Sequence, residues 1–197
     1  MPEPTSGPTP TSSKRLLVWG ERLLTVGLLV FVAYRLGPQM GALVGVSSDE
    51  GREPVYEVTT FDGHRVRSAD LLGQVVVVNF WATWCGPCKL EMPSLQSLHE
   101  DKADLGVVVL GLSTDVGGQA GIESFLSERE ITYSVGRATQ QHRQAFGGIH
   151  GTPTTFIIDK TGVVRHRVVG YFAPPALRVA VNRLLNEEPV PATPDGD

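Results

Sequence analysis

Two uninterrupted apolar runs lie in the middle of the chain, and neither alternates with polar positions. QVVVVNFW spans residues 74–81, and GVVVLGLST spans residues 106–114. A strand that is exposed on one face alternates apolar and polar residues, so continuous β-branched runs predict strands that are covered on both faces. We expect the first of them to lie at the centre of a sheet.

Helices and further strands surround these two runs. The spacing of Leu90, Leu95 and Leu98 predicts a helix over 85–99, in which Pro93 predicts a kink. An alternating segment around Asp62-Gly63 predicts a β-hairpin ahead of the first strand. The other predicted elements are a helix at 122–129, a strand near 131–135, a helix near 140–146, antiparallel strands at 154–159 and 163–171, and a closing helix from 174 or 175 to 185. This order predicts an α/β fold with a mixed central sheet flanked by helices and an N-terminal β-hairpin.

The two ends of the chain differ from the middle in composition. PEPTSGPTPTSS and EEPVPATPDGD hold few apolar residues, so burial cannot offset the entropy that ordering would cost. The predicted divisions are a disordered cytoplasmic tail at 1–15, a transmembrane signal-anchor helix at 16–37, a linker at 38–53, one domain at 54–186 and a disordered tail at 187–197.

The segment LLVWGERLLTVGLLVFVAYRLG, residues 16–37, has about the length needed to cross a bilayer as a helix. Glu21 and Arg22 weaken that prediction, although side chains near an end can reach the interface. A cleaved signal peptide is the alternative, but no small-residue cleavage site follows closely. Basic residues are in excess before the segment, which favours a single-pass protein of the cell membrane with its domain outside the cytosol.

Charge excludes one class of partner. The net charge is -4, and the basic residues are scattered along the chain. Nucleic-acid binding normally needs clustered Lys and Arg, so proteins or small molecules are the expected partners.

The only two cysteines, Cys85 and Cys88, lie in FWATWCGPCKLEMP, directly after the predicted central strand. A thiol at a helix N-terminus is stabilised as a thiolate by free N–H groups and the helix dipole, which suits Cys85 as the attacking sulfur. Cys88, one turn further on, can resolve the mixed disulfide. Gly86-Pro87 keeps the intervening turn compact.

Two other interpretations of the cysteine pair remain open. A structural metal site needs two more ligands, and the sequence shows no second C-x-x-C and no closely spaced His pair, so we predict no metal site. Two inert buried thiols fit poorly, because the flanking Trp84 and Pro87 suit a turn more than a packed element. The redox pair is favoured.

WCGPC after VVVNFW closely resembles the thioredoxin-fold thiol–disulfide oxidoreductases, and WATWCGPCKLEMP is similar to their membrane-anchored TlpA/ResA/CcmG branch. The resemblance covers about residues 54–185 and implies a thioredoxin-like three-layer fold. It implies that clients dock at Trp84, Gly86 and Pro87. It also implies a cis peptide in the Thr152-Pro153 loop, which would offer backbone atoms to the client. No cofactor is implied other than the redox-active Cys85–Cys88 disulfide.

Glu91 lies one helical turn after Cys88, on the same face. In the resembling branch a Glu at this helix position is implicated in the chemistry, and Asn79 stands here where cytosolic thioredoxins have a buried Asp. We hypothesise that Glu91 relays protons to and from the cysteines. The alternative is a solvated carboxylate that pairs with a neighbour such as Lys89.

The resemblance also implies partners. We expect a protein-disulfide reductase whose clients are apocytochrome c or the copper-site cysteines of oxidase assembly, supplied with electrons by a DsbD/CcdA-like membrane protein. One alternative is a thiol peroxidase of the redoxin group, although the usual peroxidatic P-x-x-x-T/S-x-x-C setting is absent. The other is a Cu(I)-binding module, since soft thiolates suit that ion.

Overall fold

The computed structural model describes residues 51–188. The sequence predictions for residues 1–50 and 189–197, including the membrane helix at 16–37, lie outside this part. Within 51–188, none of the helices combines the length and the apolar character that a membrane crossing needs.

Seven strands and four helices follow the predicted order. The strands are β1 (Glu57–Thr59), β2 (Arg65–Arg67), β3 (Val75–Trp81), β4 (Val107–Ser113), β5 (Ser134–Arg137), β6 (Thr154–Ile158) and β7 (Val164–Val169). The helices are α1 (Gly86–Lys102), α2 (Gln119–Ser127), α3 (Gln140–Ala145) and α4 (Pro174–Asn186). Short 3-10 turns lie at Ser68–Leu71 and Ala103–Leu105.

The five-stranded sheet has the order β5-β4-β3-β6-β7. β3 pairs in parallel with β4, which pairs in parallel with β5, whereas β6 and β7 run antiparallel to their neighbours. β3 is therefore the central strand, and every one of its residues is buried. The structure confirms the predicted mixed sheet and the central place of the first apolar run.

The two faces of the sheet bury separate cores. On one face Val75, Val77 and Trp81 pack with apolar side chains of α1, α2 and α4. On the other, Val76, Val78 and Phe80 pack with the β1–β2 hairpin and the residues around α3. Because both faces are covered, the strand needs apolar residues at consecutive positions, which is the pattern that predicted it.

One strand boundary differs from the prediction. The fifth strand begins at Ser134 and not near 131, because the N–H of Ile131 bonds to the carbonyl of Leu126 and that of Thr132 to the side chain of Gln96. These residues therefore close the end of α2 and do not join the sheet. Of the three leucines whose spacing predicted α1, Leu95 and Leu98 are buried, whereas Leu90 is 70% exposed.

Segments near the start of the domain occupy both edges of the sheet. On the β7 edge, the N–H of Gly51 donates to the carbonyl of Val164, and the N–H of Val164 donates to the carbonyl of Arg52. On the β5 edge, Thr60 pairs with Gly136, where a side chain would meet the backbone of Thr59 at 2.8 Å. Both contacts occupy backbone groups that an open edge would offer to another chain.

Candidate active site

Cys85 and Cys88 lie where the central strand gives way to α1. Cys85 is the N-cap of the helix, and the two sulfur atoms form a disulfide with an S–S distance of 2.04 Å. The N–H of Cys88 donates a hydrogen bond to Sγ of Cys85 over 3.2 Å. A backbone donor of the first helical turn therefore points at the sulfur of Cys85, an arrangement that favours a thiolate at this position.

A polar clamp fixes the residues between β3 and the disulfide. The N–H and Oγ1 of Thr83 both donate to the carboxylate of Asp115, which follows β4. Ser113 donates to the same carboxylate over 2.8 Å, and Arg137 donates to the carbonyl of Asp115. This clamp anchors the short connection that positions Trp84 and Cys85.

The proline loop lies beside the same end of the sheet. The Thr152–Pro153 peptide is cis, as the resemblance implied. Since Thr154 on β6 pairs with Phe80 on β3, the loop lies next to the residues that lead to Cys85. The carbonyls of Gly151 and Pro153 accept internal hydrogen bonds from Thr154 and Gly170. Within residues 51–188 the backbone of Thr152 makes no such bond, so its peptide groups are available to a client.

The rim of the disulfide is apolar and accessible. Trp84 is 72% exposed, and Gly86 and Pro87 also lie at the surface. Cys85 itself is only 4% exposed, so a thiolate of another molecule has a narrow approach to the sulfur of Cys85. Trp81, by contrast, is fully buried and stacks on Phe125 with ring centroids 5.6 Å apart. The two tryptophans thus separate into a packing residue and a surface residue.

Glu91 lies in the core beneath the cysteines and is 0% exposed. Its Oε1 accepts a hydrogen bond from Oγ1 of Thr155 over 2.9 Å, whereas its Oε2 is buried with no hydrogen-bond partner. Burial raises the pKa of this carboxyl to about 7, and the Thr155 hydrogen bond opposes the shift. The alternative of a solvated carboxylate paired with Lys89 is therefore wrong.

Thr155 connects Glu91 to the central strand. The side-chain amide of Asn79 donates to Oγ1 of Thr155 over 2.8 Å, so the hydroxyl is left with its proton directed at Glu91. Asn79 and Thr155 do not titrate, and both are buried. They therefore orient the carboxyl group and leave the proton chemistry to it.

A helix-capping disulfide that faces a cis-proline loop, with a buried carboxyl one turn behind it, can exchange disulfides with another chain. These features and the sheet define a thioredoxin-like thiol–disulfide oxidoreductase. The chain belongs to the AhpC/TSA family, whose model matches residues 52–167. The named relatives are thiol–disulfide oxidoreductases, which implies that the clients of this enzyme carry cysteines.

Relatives of known name agree with this class. The chain is 33% identical over 121 residues to the thiol-disulfide oxidoreductase ResA of Bacillus thuringiensis, a match that covers 61% of this chain and 69% of the relative. It is 36% identical over 107 residues to the thiol:disulfide interchange protein DsbE of Pseudomonas aeruginosa, covering 54% and 57%. A thiol:disulfide interchange protein from Chlorobium tepidum has 30% identity and a TM-score of 0.64, covering 71% of this chain and 99% of that one.

Sequence reasoning missed two residues of the site. Thr155 could have been found, because it lies on a predicted strand directly after the proline loop, where successive side chains point to opposite faces of the sheet. Asp115 gave a weaker signal, an acidic residue just after a buried strand.

Proposed function

We propose that this protein is an extracytoplasmic protein-disulfide reductase that acts through Cys85 and Cys88. The observation that supports it best is the buried, partly unpaired Glu91 behind a disulfide at a helix N-terminus. A group whose pKa lies near 7 can take up and release protons at physiological pH, as disulfide exchange demands.

The reaction begins with both cysteines reduced. The Cys85 thiolate attacks a client disulfide, forming one S–S bond to the client and breaking the client's own, and the released client thiolate takes up a proton. Glu91 then accepts the proton of Cys88. The Cys88 thiolate attacks Sγ of Cys85, which closes the enzyme disulfide and releases the second client thiolate. Two electrons pass to the client, and both client sulfurs end as thiols.

The surroundings of the disulfide suit a protein client. Trp84 and Pro87 offer apolar contact beside the sulfur, and the backbone of Thr152 offers a donor and an acceptor to an extended chain. We propose cysteine pairs of apocytochrome c or of an oxidase copper site as clients, on the resemblance to the TlpA/ResA/CcmG branch. A DsbD/CcdA-like membrane protein would return electrons to the enzyme.

The proposal also includes the membrane. Residues 16–37 form the proposed anchor, and the basic residues that precede them favour a domain on the outer side of the membrane. An alkylation test checks this: a reagent that cannot cross the membrane should label the reduced cysteines in intact cells. Labelling only after lysis would contradict the extracytoplasmic location.

The reduction potential tests the direction of the reaction. Equilibration of the protein with dithiothreitol or glutathione buffers should give a value near that of thioredoxin, about -270 mV. A value near that of DsbA, about -120 mV, would identify an oxidase and overturn the proposed direction.

Two cysteine variants test the assigned roles. Cys85→Ser should lower insulin reduction to the uncatalysed rate, whereas Cys88→Ser should accumulate a mixed disulfide that a non-reducing gel resolves. If Cys88→Ser reduced insulin and Cys85→Ser trapped the client, the roles would be reversed. Peroxide consumption in place of insulin reduction would support the peroxidase alternative, and Cu(I) retained against a chelator would support the copper alternative.

A further inference from the structure

Several buried polar atoms on the α1 face of the sheet have no hydrogen-bond partner among residues 51–188. They are Nε1 of Trp81, Oε2 of Glu91, Nδ1 of His99 and Oη of Tyr133. An unpaired buried donor or acceptor lowers the stability of the fold, so natural cores seldom contain one. Their concentration in the layer that holds the disulfide points to a function beyond packing.

Glu91, Tyr133 and His99 are three of these residues, and Tyr133 interacts with both of the others. Glu91 and His99 are eight residues apart on α1, which returns to the same helix face after about two turns. The imidazole of His99 meets the Tyr133 ring edge-on, with ring centroids 6.5 Å apart. Burial raises the pKa of the Tyr133 phenol, and the nearby charge of Glu91 raises it further. Tyr133 is thus the residue that connects the buried carboxyl with the histidine.

Two further contacts hold Tyr133 there. The preceding residue, Thr132, is fixed to Gln96 of α1 by hydrogen bonds of 2.9 and 2.6 Å. Beneath the ring, β4 carries Gly111, where a Cβ atom would lie only 3.1 Å from both Tyr133 and Nε1 of Trp81. A side chain at position 111 would push the two aromatic groups away, so the glycine permits their close approach.

Disulfide exchange requires Glu91 to exchange protons while a client is bound. When a client is bound to Cys85, it covers the surface at Trp84 and Pro87, while Glu91 below must still exchange a proton for each turnover. Oε1 of Glu91 is held by Thr155, so Oε2 is the oxygen available for exchange. His99 is half-buried as a residue, although its Nδ1 is enclosed.

We propose that Tyr133 and His99 carry protons between Oε2 of Glu91 and solvent, along α1 and away from the client-binding surface. The inference rests on the proposed function of Glu91. Because no hydrogen bond joins these three atoms within residues 51–188, the proton passes from one to the next across bridging waters, and no electron moves. Protonated Glu91 gives its proton to Oη of Tyr133, whose own proton passes to Nδ1 of His99, and the imidazolium releases a proton at the surface.

The groups that face Glu91 are consistent with this route. On α1 the titratable neighbour is Cys88, and from the loop before β5 it is Tyr133. The polar side chains that face it from β3 and β6, Asn79 and Thr155, do not titrate. Because the phenol of Tyr133 resists ionisation, it passes a proton by accepting one as it donates one.

The test measures release of the client from the mixed disulfide in a single turnover, from pH 5 to 9. Tyr133→Phe should slow release by about tenfold and flatten its pH dependence. The matched control is Tyr56→Phe, since Tyr56 is also buried but lies in the core on the opposite face of the sheet. Equal rates for the two variants would overturn the proposal.

His99→Gln provides a second variant that leaves the phenol of Tyr133 in place. It should slow release as Tyr133→Phe does, and added imidazole buffer should restore the rate. The double variant should be no slower than either single one, because the two residues act in one path. Additive losses, or no rescue by imidazole, would contradict a shared path.

The reduction potential separates a proton path from a structural role. A path changes the rate of proton transfer and leaves the equilibrium potential of Cys85–Cys88 unaltered, so a shifted potential in either variant would count against it. Glu91→Gln tests the proposed function separately. If its release is slow while Tyr133→Phe behaves like Tyr56→Phe, only the path is wrong; if Glu91→Gln releases normally, the role of Glu91 itself fails.

Discussion

Both faces of the sheet bury titratable side chains, but these side chains differ in how completely they are hydrogen-bonded. On the hairpin face, Nδ1 of His142 accepts a hydrogen bond from the N–H of Thr139, and Nε2 donates to the carbonyl of Glu57. On the α1 face, Glu91 has one oxygen bonded and one without a partner. Both side chains are buried, so burial alone does not distinguish them.

The difference lies in what each side chain can still do. His142 caps α3 and ties it to β1, so both ring nitrogens are committed to holding elements together. Glu91 keeps an oxygen that can gain or lose a proton without breaking a hydrogen bond. A fully paired buried group contributes to stability, whereas a partly paired one costs stability and retains chemistry.

The largest effect on stability is expected in the core of the hairpin face. Phe146 is fully buried and contacts the rings of Tyr56, Phe80 and Phe156. Phe146→Ala should lower the free energy of unfolding by about 3–5 kcal/mol, because it leaves a cavity among aromatic rings. Urea denaturation measures the loss. The reduction potential should stay the same, and a shifted potential would show that the two faces are not independent.

Glu91→Gln should raise the free energy of unfolding, and the size of this gain should depend on pH. The pKa of Glu91 rises from its ordinary 4.5 to about 7, so ionisation of the folded protein is opposed. The folded protein therefore loses stability as pH rises from about 4.5 to about 7, by up to about 3 kcal/mol. The variant should be more stable than the parent at pH 8 and equally stable at pH 4. Thermal melts at the two values check this, and an equal gain at both would contradict it.

His142→Ala should cost about 1–3 kcal/mol, since it leaves the carbonyl of Glu57 and the N–H of Thr139 without partners. Urea denaturation measures this loss as well. The pH profile of insulin reduction should not change, whereas the profile of Glu91→Gln should. A changed profile in His142→Ala would mean that the hairpin face takes part in the proton chemistry.

Trp84→Ala should have the smallest effect on stability, within about 0.5 kcal/mol, because the side chain is largely exposed. Its effect on client reduction should be several-fold, through lost apolar contact beside Cys85. Leu105→Ala is the matched control, as Leu105 is 60% exposed on the turn that follows α1. If both variants reduced insulin equally well, Trp84 would not belong to the client-binding surface.

The sequence predicted the central strands of the sheet better than the exact bounds of β5. The apolar runs at 74–81 and 106–114 predicted β3 and β4 correctly, because a strand buried on both faces has an unambiguous pattern. The start of β5 was wrong, since side-chain hydrogen bonds from Gln96 decide it and no local pattern records them. Leu90 belongs to the spacing that correctly predicted α1, but the spacing of three leucines does not decide that its own side chain is exposed.

For the candidate site, the sequence predicted which residues take part better than it predicted their surroundings. Cys85, Cys88 and the Thr152–Pro153 loop follow from short motifs, and the position of Glu91 follows from one helical turn. The depth at which Glu91 is buried and its single bonded oxygen could not be predicted, because both depend on Thr155, 64 residues further along the chain. Tyr133 illustrates the limit, since only the assembled sheet brings it to α1.

The hydrogen bonds of Gly51 and Arg52 to Val164 fix the point at which the chain enters the domain. Val164 pairs with Ile158, which pairs with Val76 near the start of β3, whereas the disulfide follows the other end of that strand. The length of the seven-residue central strand, roughly 20 Å, thus separates the point of entry from the sulfur atoms. A label attached at Gly51 would therefore report from about one strand length away on a client that binds at the disulfide.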